Sequence, residues 1–342
     1  MNQTDTVQLP YAAPQELIDG LLKTDRLIVA GHVTPDADCL GSMMGAARVL
    51  RAAGICDVSI AVPNAEVSRR LKFMLDTAGL PVVTGEIGPE ADTALIVDTA
   101  KPSRVNVPGK WDGIQADGRN ILNLDHHASN EQFGDISWVV ATASSSAEIV
   151  FWLLRQMNLT IDATSASLLY AGIWGDTSGF SLPTSNGPAL QAAAGLVDAG
   201  ADVEFVGQHL CRSLDESEFK LLRVVYDNTK LTAGNRIAYS TIDHDELVAT
   251  GCMAADIDDQ VGVPRMLSGI QIALLFSEGH KGKIRINFRG ECGMDVLPLA
   301  QKLGGGGHRQ AAGSIMSGTV AEVAARVIAE SEAYLNEQTS GD

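Results

Sequence analysis

Three groups able to ligate a metal fall within a short stretch of the chain: His32, Asp36 and Asp38, in His-Val-Thr-Pro-Asp-Ala-Asp. Imidazole nitrogen and carboxylate oxygen suit hard and borderline divalent cations, and two carboxylates this close repel one another unless a cation lies between them. Further along come Asp98, then Asp125-His126-His127, then Asp176 after Gly172-Ile173-Trp174-Gly175. Two His (32, 126) and four Asp (36, 38, 98, 176) make more donors than one catalytic ion with an open position can use. They suit two ions of high coordination number, with one Asp bridging and water completing the shells. Each piece alone has a plainer reading. Asp36 and Asp38 could cap a helix, a lone Asp98 or Asp176 could serve a turn, and a His-His pair could be a hydrogen-bonded structural pair. Taken together and in this order, the pieces point to a metal centre.

What must position these groups is a set of strand ends. Leu27-Ile28-Val29-Ala30 precedes the first motif, Ala94-Leu95-Ile96-Val97 precedes Asp98, and Ile121-Leu122-Asn123-Leu124 precedes Asp125. Short apolar runs of this kind read as buried strands. A further strand is expected at 58–62, and helices at 14–23, 43–50, 68–78, 146–156, 163–173 and 187–199. Strands alternating with helices imply a parallel, doubly wound sheet, in which all carboxyl ends of the strands share one edge and ligands bind along it. Past residue 200 the pattern loosens. A helix at about 215–230 leads to strands at 236–242, 269–276 and 283–288, a helix at 295–303 and a last helix at about 320–336. Thr319-Val320-Ala321-Glu322 reads as its capping box. The expected layout is an N-terminal catalytic domain (1–200), a linker helix region (201–230) and a smaller C-terminal α/β substrate-binding domain (231–342), with a cleft between the domains.

Composition narrows the function. With 342 residues, 45% of them hydrophobic, the chain can bury two cores. It carries no apolar run of about 18 residues, so no membrane span is expected, and its N-terminus lacks the pattern of a secretory signal. The five Cys are scattered without a Cys-x-x-Cys, which fits a reducing cytoplasm. The net charge of −17 argues against coating long duplex nucleic acid, because phosphate neutralisation supplies most of that affinity. A phosphate-bearing substrate should therefore be small and held by a few local donors. A Gly-x-Ser-x-Gly elbow and a P-loop are both absent, so serine-hydrolase and P-loop chemistry are not indicated.

His32-x-x-x-Asp36-x-Asp38, Asp98, Asp125-His126-His127 and Asp176 resemble, in order, the four motifs of the DHH phosphoesterase superfamily, which includes RecJ nucleases and family II pyrophosphatases. Gly304-Gly305-Gly306-Gly307-His308, with Ala311-Ala312-Gly313 after it, is similar to the signature of the DHH-associated C-terminal domain. Together with length and the Phe288-Arg289 pair, the chain looks most like the NrnA type, oligoribonucleases that also act as phosphatases on 3′-phosphoadenosine 5′-phosphate (pAp). Two departures are local. The first motif has Ala37 where many relatives have Gly, and Ser178 is inserted before Gly179-Phe180.

The resemblance implies one ion held by His32, Asp36 and Asp98 and a second by Asp38, Asp98, His126 and Asp176, with Asp98 bridging. It implies manganese as the metal, although the donor set also suits magnesium, iron, cobalt or zinc. Asp125 would orient an imidazole. His127 would stabilise charge in the transition state or protonate the leaving oxygen. The substrate side would fall to Arg104, Arg289, His308 and the backbone of Gly305, Gly306 and Gly307, since residues without side chains let a phosphate approach closely. Arg309 and Lys302 are weaker candidates. Ser144-Ser145-Ser146 reads as an N-cap cluster that could border the site. The expected substrates are short RNA oligonucleotides and mononucleotide bisphosphates, and a homodimer is compatible with this type. Cyclic or linear dinucleotide phosphodiesterase, RecJ-like single-strand exonuclease and a non-catalytic nucleotide sensor are the alternatives.

Overall fold

The computed structural model describes residues 9–62, 67–83, 91–105, 118–212 and 214–339. The chain divides into two compact units, Met1–Ser213 and Leu214–Asp342. The boundary falls inside the segment read as a linker region.

In the first unit, strands β1 (Arg26–Ala30), β2 (Asp57–Ala61), β3 (Val82–Val83), β4 (Thr93–Val97), β5 (Asn120–Asp125) and β6 (Ile136–Val139) form one sheet in the order β3-β2-β1-β4-β5-β6. Every neighbouring pair is parallel. The central strands are apolar on both faces, as a parallel sheet requires. Leu27, Val29, Leu95, Val97, Leu122 and Leu124 enter the main core, while Ile28, Ala30, Ala94, Ile96 and Ile121 enter a smaller cluster. Strand order reverses between β1 and β4. That switch point is where an open parallel sheet opens a crevice at its carboxyl edge, and His32 and Asp98 lie just past these two strands.

Helices α1 (Gln15–Leu22), α2 (Ala37–Ala52), α3 (Lys72–Ala78), α4 (Ser146–Gln156), α5 (Ala163–Asp176), α6 (Gly187–Asp198) and α7 (Val203–Gly207) complete the described part of this unit. Helix α2 begins where Asp36 accepts the Cys39 N–H through Oδ1 at 3.0 Å, and α5 begins where Asp162 accepts from Thr164 and Ser165. Glycines let α2 and α5 touch. A Cβ on Gly41 would sit 2.5 Å from the Leu168 carbonyl oxygen, and one on Gly175 would sit 2.8 Å from the Ala37 Cβ. This close approach brings the end of α5, with Asp176, to the start of α2. Strands β3 and β6 are edge strands that the apolar pattern does not reveal. Residues 208–212, where the pattern loosens, form a π-helical turn.

The second unit holds a mixed sheet in the order β11-β12-β10-β9-β8-β7. Its strands are β7 (Lys230–Thr232), β8 (Ile237–Ile242), β9 (Ile272–His280), β10 (Lys283–Gly290), β11 (Gly306–Gly307) and β12 (Ala311–Ser317). Only β8–β9 is parallel. On one face Leu274, Phe276, Ile286 and Phe288 pack with α11 (Leu297–Lys302) and α12 (Val320–Thr339) through Leu299, Val323 and Val327. On the other, Ile242 and Leu275 pack with α8 (Glu216–Asp227), α9 (His244–Thr250) and α10 (Gly262–Arg265) through Leu221, Val225, Leu247 and Val263. The Thr319/Glu322 capping box forms as the spacing predicts. Among the described residues no helix is long and apolar enough to cross a membrane.

Candidate metal centre

The six donors named from the sequence meet at the carboxyl edge of the parallel sheet. His32 follows β1 and Asp36 and Asp38 open α2. Asp98 follows β4, His126 follows β5, and Asp176 ends α5. The Asp98 carboxylate is central and divides its two oxygens. Oδ2 lies 3.4 Å from His32 Nε2, and Oδ1 lies 3.4 Å from His126 Nε2. Around His32 Nε2 there is also Asp36 Oδ2 at 3.9 Å. Around His126 Nε2 there are Asp176 Oδ2 at 3.2 Å and Asp38 Oδ2 at 3.8 Å.

These spacings fit shared cations. Most exceed the usual N–H···O hydrogen-bond distance. Two ligands side by side on one octahedral ion, each about 2.1 Å from it, lie roughly 3 Å apart. Among the described residues no Lys or Arg pairs with Asp36, Asp38, Asp98 or Asp176. Among the described residues the charge is therefore compensated by imidazoles and by dipoles. Burial, aided by the Asp98 and Asp176 carboxylates, raises the Asp38 carboxyl well above the usual range. Burial, with Asp36 and Asp98 adding to it against the pull of His126, pushes Asp176 up to about 7. Burial opposes protonation of His126, but Asp98, Asp176 and Asp38 outweigh it and raise that imidazole well above its ordinary value. A cluster that holds protons this tightly is one that a divalent cation can relieve. These residues could hold metal.

Strain and backbone donors position the acids. Asp98 has φ 51°, in the left-handed region that non-glycine residues seldom occupy, and such outliers persist where surrounding structure over-determines them. Its N–H donates to the Leu124 carbonyl at 3.0 Å. Asp38 is held by the N-terminus of α4. The Ser146 N–H donates to Oδ2 at 2.7 Å and the Ala147 N–H to Oδ1 at 2.8 Å, as a helix N-terminus does for an anion. The Ser146 hydroxyl donates to Asp98 Oδ1 at 3.1 Å, while Ser145 is the helix cap, accepting from the Glu148 N–H. The serine cluster thus caps with one member and reaches the acids with the next. Residue type signalled the cap and left open a place at the border of the site. Asp36 has two duties at once, since Oδ1 caps α2 while Oδ2 faces His32.

Asp125 lies one layer back. It is fully buried, and its Oδ1 accepts from the His126 N–H at 2.8 Å and meets His127 Nδ1 at 2.7 Å. The imidazole it holds is that of His127, which also sits 3.6 Å from Asp98 Oδ1. Sequence reasoning did not mark Asn123 or Asn130, both of which belong to the polar network behind Asp125. A polar Asn123 inside an otherwise apolar strand was the available signal. Arg104 lies beside the first motif: its carbonyl accepts from the Val33 N–H at 2.9 Å, and its side chain is exposed. Ser178, Gly179 and Phe180, after Asp176, all adopt positive φ, so the insertion at Ser178 is absorbed by a left-handed turn.

The remaining candidates belong to the second unit. Arg289 lies on β10 opposite Ala311 and donates from Nη1 to the Phe288 carbonyl at 3.0 Å. Gly304, with φ 75°, closes α11. Gly306 and Gly307 form β11 against Gly313 and Ala312, and His308 to Ala311 make the hairpin turn. Close chain approach requires glycine at 305 and 307, since a Cβ on Gly305 would lie 2.1 Å from the Gly313 carbonyl oxygen and one on Gly307 2.5 Å from that of Ala311. The Gly305 N–H already donates to the Ala300 carbonyl at 2.8 Å, so donation to a phosphate from there needs that bond to open. Arg309 pairs with Asp295 at 2.9 Å and Lys302 with Glu330 at 2.6 Å.

Comparison with known families finds that the DHH family, N-terminal domain, matches residues 26–173. The chain is similar to this family over those residues. Among DHH-type relatives, it is 29% identical to "Bifunctional oligoribonuclease and PAP phosphatase NrnA" of Bacillus subtilis (strain 168), over 94% of this chain and 98% of that one. It is 28% identical to the protein of the same name from Thermus thermophilus, over 85% and 84%. It is 27% identical to "Cyclic-di-AMP phosphodiesterase PdeA" of Listeria monocytogenes, over 96% of this chain but 50% of that protein. Its fold matches the crystal structure of an exopolyphosphatase-related protein from Bacteroides fragilis, with a TM-score of 0.79, 23% identity and coverage of 94% and 98%.

Proposed function

We propose that this chain is a metal-dependent phosphoesterase that hydrolyses short oligoribonucleotides, down to dinucleotides, and pAp. The observation that carries the reading is the Asp98 carboxylate, with one oxygen toward His32 and the other toward His126 at equal distance. His32, Asp36 and Asp98 would hold one divalent cation, and Asp38, Asp98, His126 and Asp176 a second, with manganese as the expected metal. When bound, such a pair supplies charge neutralisation of the phosphate and activation of a water.

The protein's own groups do the rest. Asp98 is fixed by its strained backbone and by Ser146, so both of its oxygens stay on target. The α4 amides of Ser146 and Ala147 keep the Asp38 carboxyl group in place. Asp125 holds His127 by Nδ1, and His127 acts on charge developing at the phosphate or on the leaving oxygen. Arg104, Arg289, His308 and the glycines at 305–307 bind the substrate's phosphate and nucleoside groups, which gives short substrates their affinity without a basic surface. Support comes from the relatives named as oligoribonucleases and PAP phosphatases, which match nearly the whole chain. We place the protein in the cytoplasm, from its scattered Cys; a homodimer is compatible with this reading, and light scattering checks it.

The test is a panel of pAp, dinucleotide, five-mer, longer single strand, cyclic di-AMP and pyrophosphate, with manganese and with chelator. Metal-dependent turnover of pAp and dinucleotide supports the reading. Turnover of cyclic di-AMP alone would move the assignment to the cyclic dinucleotide phosphodiesterases. Binding of nucleotides without any turnover would make the chain a sensor.

A further inference from the structure

Behind Asp125 lies a chain of amides that the proposed reaction does not yet use. Asn130 Nδ2 has two hydrogens and three acceptors around it: Asp125 Oδ2 at 2.6 Å, Asn123 Oδ1 at 2.9 Å and the Thr99 carbonyl at 3.2 Å. Its own Oδ1 accepts from the Gln132 N–H at 2.6 Å. Asn123 is fully buried and alternates with Asp125 on β5, so both side chains leave the same face of the strand. Its Nδ2 lies 3.2 Å from the Ile96 carbonyl and 3.3 Å from that of Thr99. The network therefore fastens Asp125 to the residue that follows the strained Asp98. Every acceptor facing Asn130 Nδ2 carries lone pairs and no proton to give, so only a donor fits there.

The consequence falls on His127. Asp125 has two oxygens. Asn130 takes Oδ2, which leaves Oδ1 to the His126 N–H and to His127 Nδ1. We infer that Asn130, backed by Asn123, is a positioning residue for His127, holding the Asp125 carboxylate so that it fixes the ring with its proton on Nδ1 and Nε2 as the nitrogen that works on the substrate. The inference rests on the reading of His127 as the group that acts on the ester. A loop tie alone would need only the Asn130 N–H bond to the His127 carbonyl at 3.1 Å. It would not need the side chain to meet the carboxylate.

Asn130→Asp keeps the shape and replaces the donor with a carboxylate facing Asp125. In the full, manganese-loaded chain it should lower kcat on pAp on the order of 10–100-fold, with metal content unchanged and KM within about twofold. In a His127→Ala background the same change should cost less than about twofold, because the group it positions is gone. Asn123→Ser should give a smaller loss of the same kind, which serves if Asn130→Asp does not fold. Equal losses in both backgrounds would overturn the inference, as would a loss explained by missing metal. Ring nitrogen NMR of His127 in the chelated protein gives a readout apart from turnover. The wild type should show the Nδ1–H tautomer and Asn130→Asp a changed pattern; identical patterns overturn the inference. Should the wild type turn over none of the panel, the functional reading fails while the ring spectra still decide the network.

Discussion

The carboxyl edge of the parallel sheet and the β10–β12 hairpin region treat charge in opposite ways. The first unit buries its acids: Asp38, Asp98 and Asp125 are each at most 2% exposed, and helix amides, imidazoles, a serine hydroxyl and an asparagine amide hold them. In the second unit the candidate Arg and His side chains are only half-buried, and Arg309 and Lys302 spend their charge on local ion pairs. A buried acid cluster is costly to hold without cations and rigid once it has them. A half-buried Arg costs little either way and contributes affinity. The metal side should therefore fail in an all-or-none manner and the substrate side by degrees.

The largest expected effect tests the metal side. Asn accepts the left-handed backbone that Asp98 uses, so Asp98→Asn removes charge while keeping shape. It should abolish tight metal binding, read by calorimetry, and lower kcat by at least about 10³-fold, since a metal pair supplies several kcal/mol. Activity within tenfold of wild type would break the comparison. Next comes Gly305→Ala, whose Cβ meets the Gly313 carbonyl. It should destabilise the second unit by roughly 1–3 kcal/mol of overpacking in denaturant titration, whereas Gly306→Ala, with nothing within 4 Å, should not.

Arg289→Ala should raise KM for pAp about tenfold with kcat nearly unchanged, the cost of one charge-assisted contact. A pure kcat loss would place Arg289 with the metal side instead.

A subtler effect concerns pH. The Asp176 carboxyl rises to about 7 on folding, so the folded state binds the proton more tightly than the unfolded one. That contribution to stability is present below about pH 4 and is lost as pH rises through about 7. Bound metal prefers the ionised form, so the Tm gain from manganese should grow between pH 5.5 and 8. Asp176→Asn should flatten the trend by removing the titrating group. The smallest expected effect is Asp36→Asn. Asn caps helices as well as Asp does, so melting temperature should hardly change while metal affinity falls. A marked drop in stability would mean that capping is the main duty of Asp36.

Some of this architecture was readable residue by residue. The apolar runs before His32, Asp98 and Asp125 marked three buried strands because a parallel sheet covered on both faces leaves no polar alternation to confuse the pattern. The helices at 146–156, 163–173 and 187–199 were equally plain, since each begins with a Ser, Asp or Asn cap. Strands β3 and β6 were missed because short edge strands carry little pattern. Strand β12 was missed as well, because its Ala and Gly content hides the pattern.

The sequence by itself determined the donor types, their order along the chain and their attachment to strand ends, because residue chemistry and local periodicity are written in neighbouring positions. Only the tertiary structure decided that Asp98 faces His32 with one oxygen and His126 with the other. It alone showed that Asp125 serves His127, and that Ser146 and Ala147 reach Asp38 across more than 100 residues of chain. Such contacts depend on strand order and helix packing, which bring together groups that no local pattern relates.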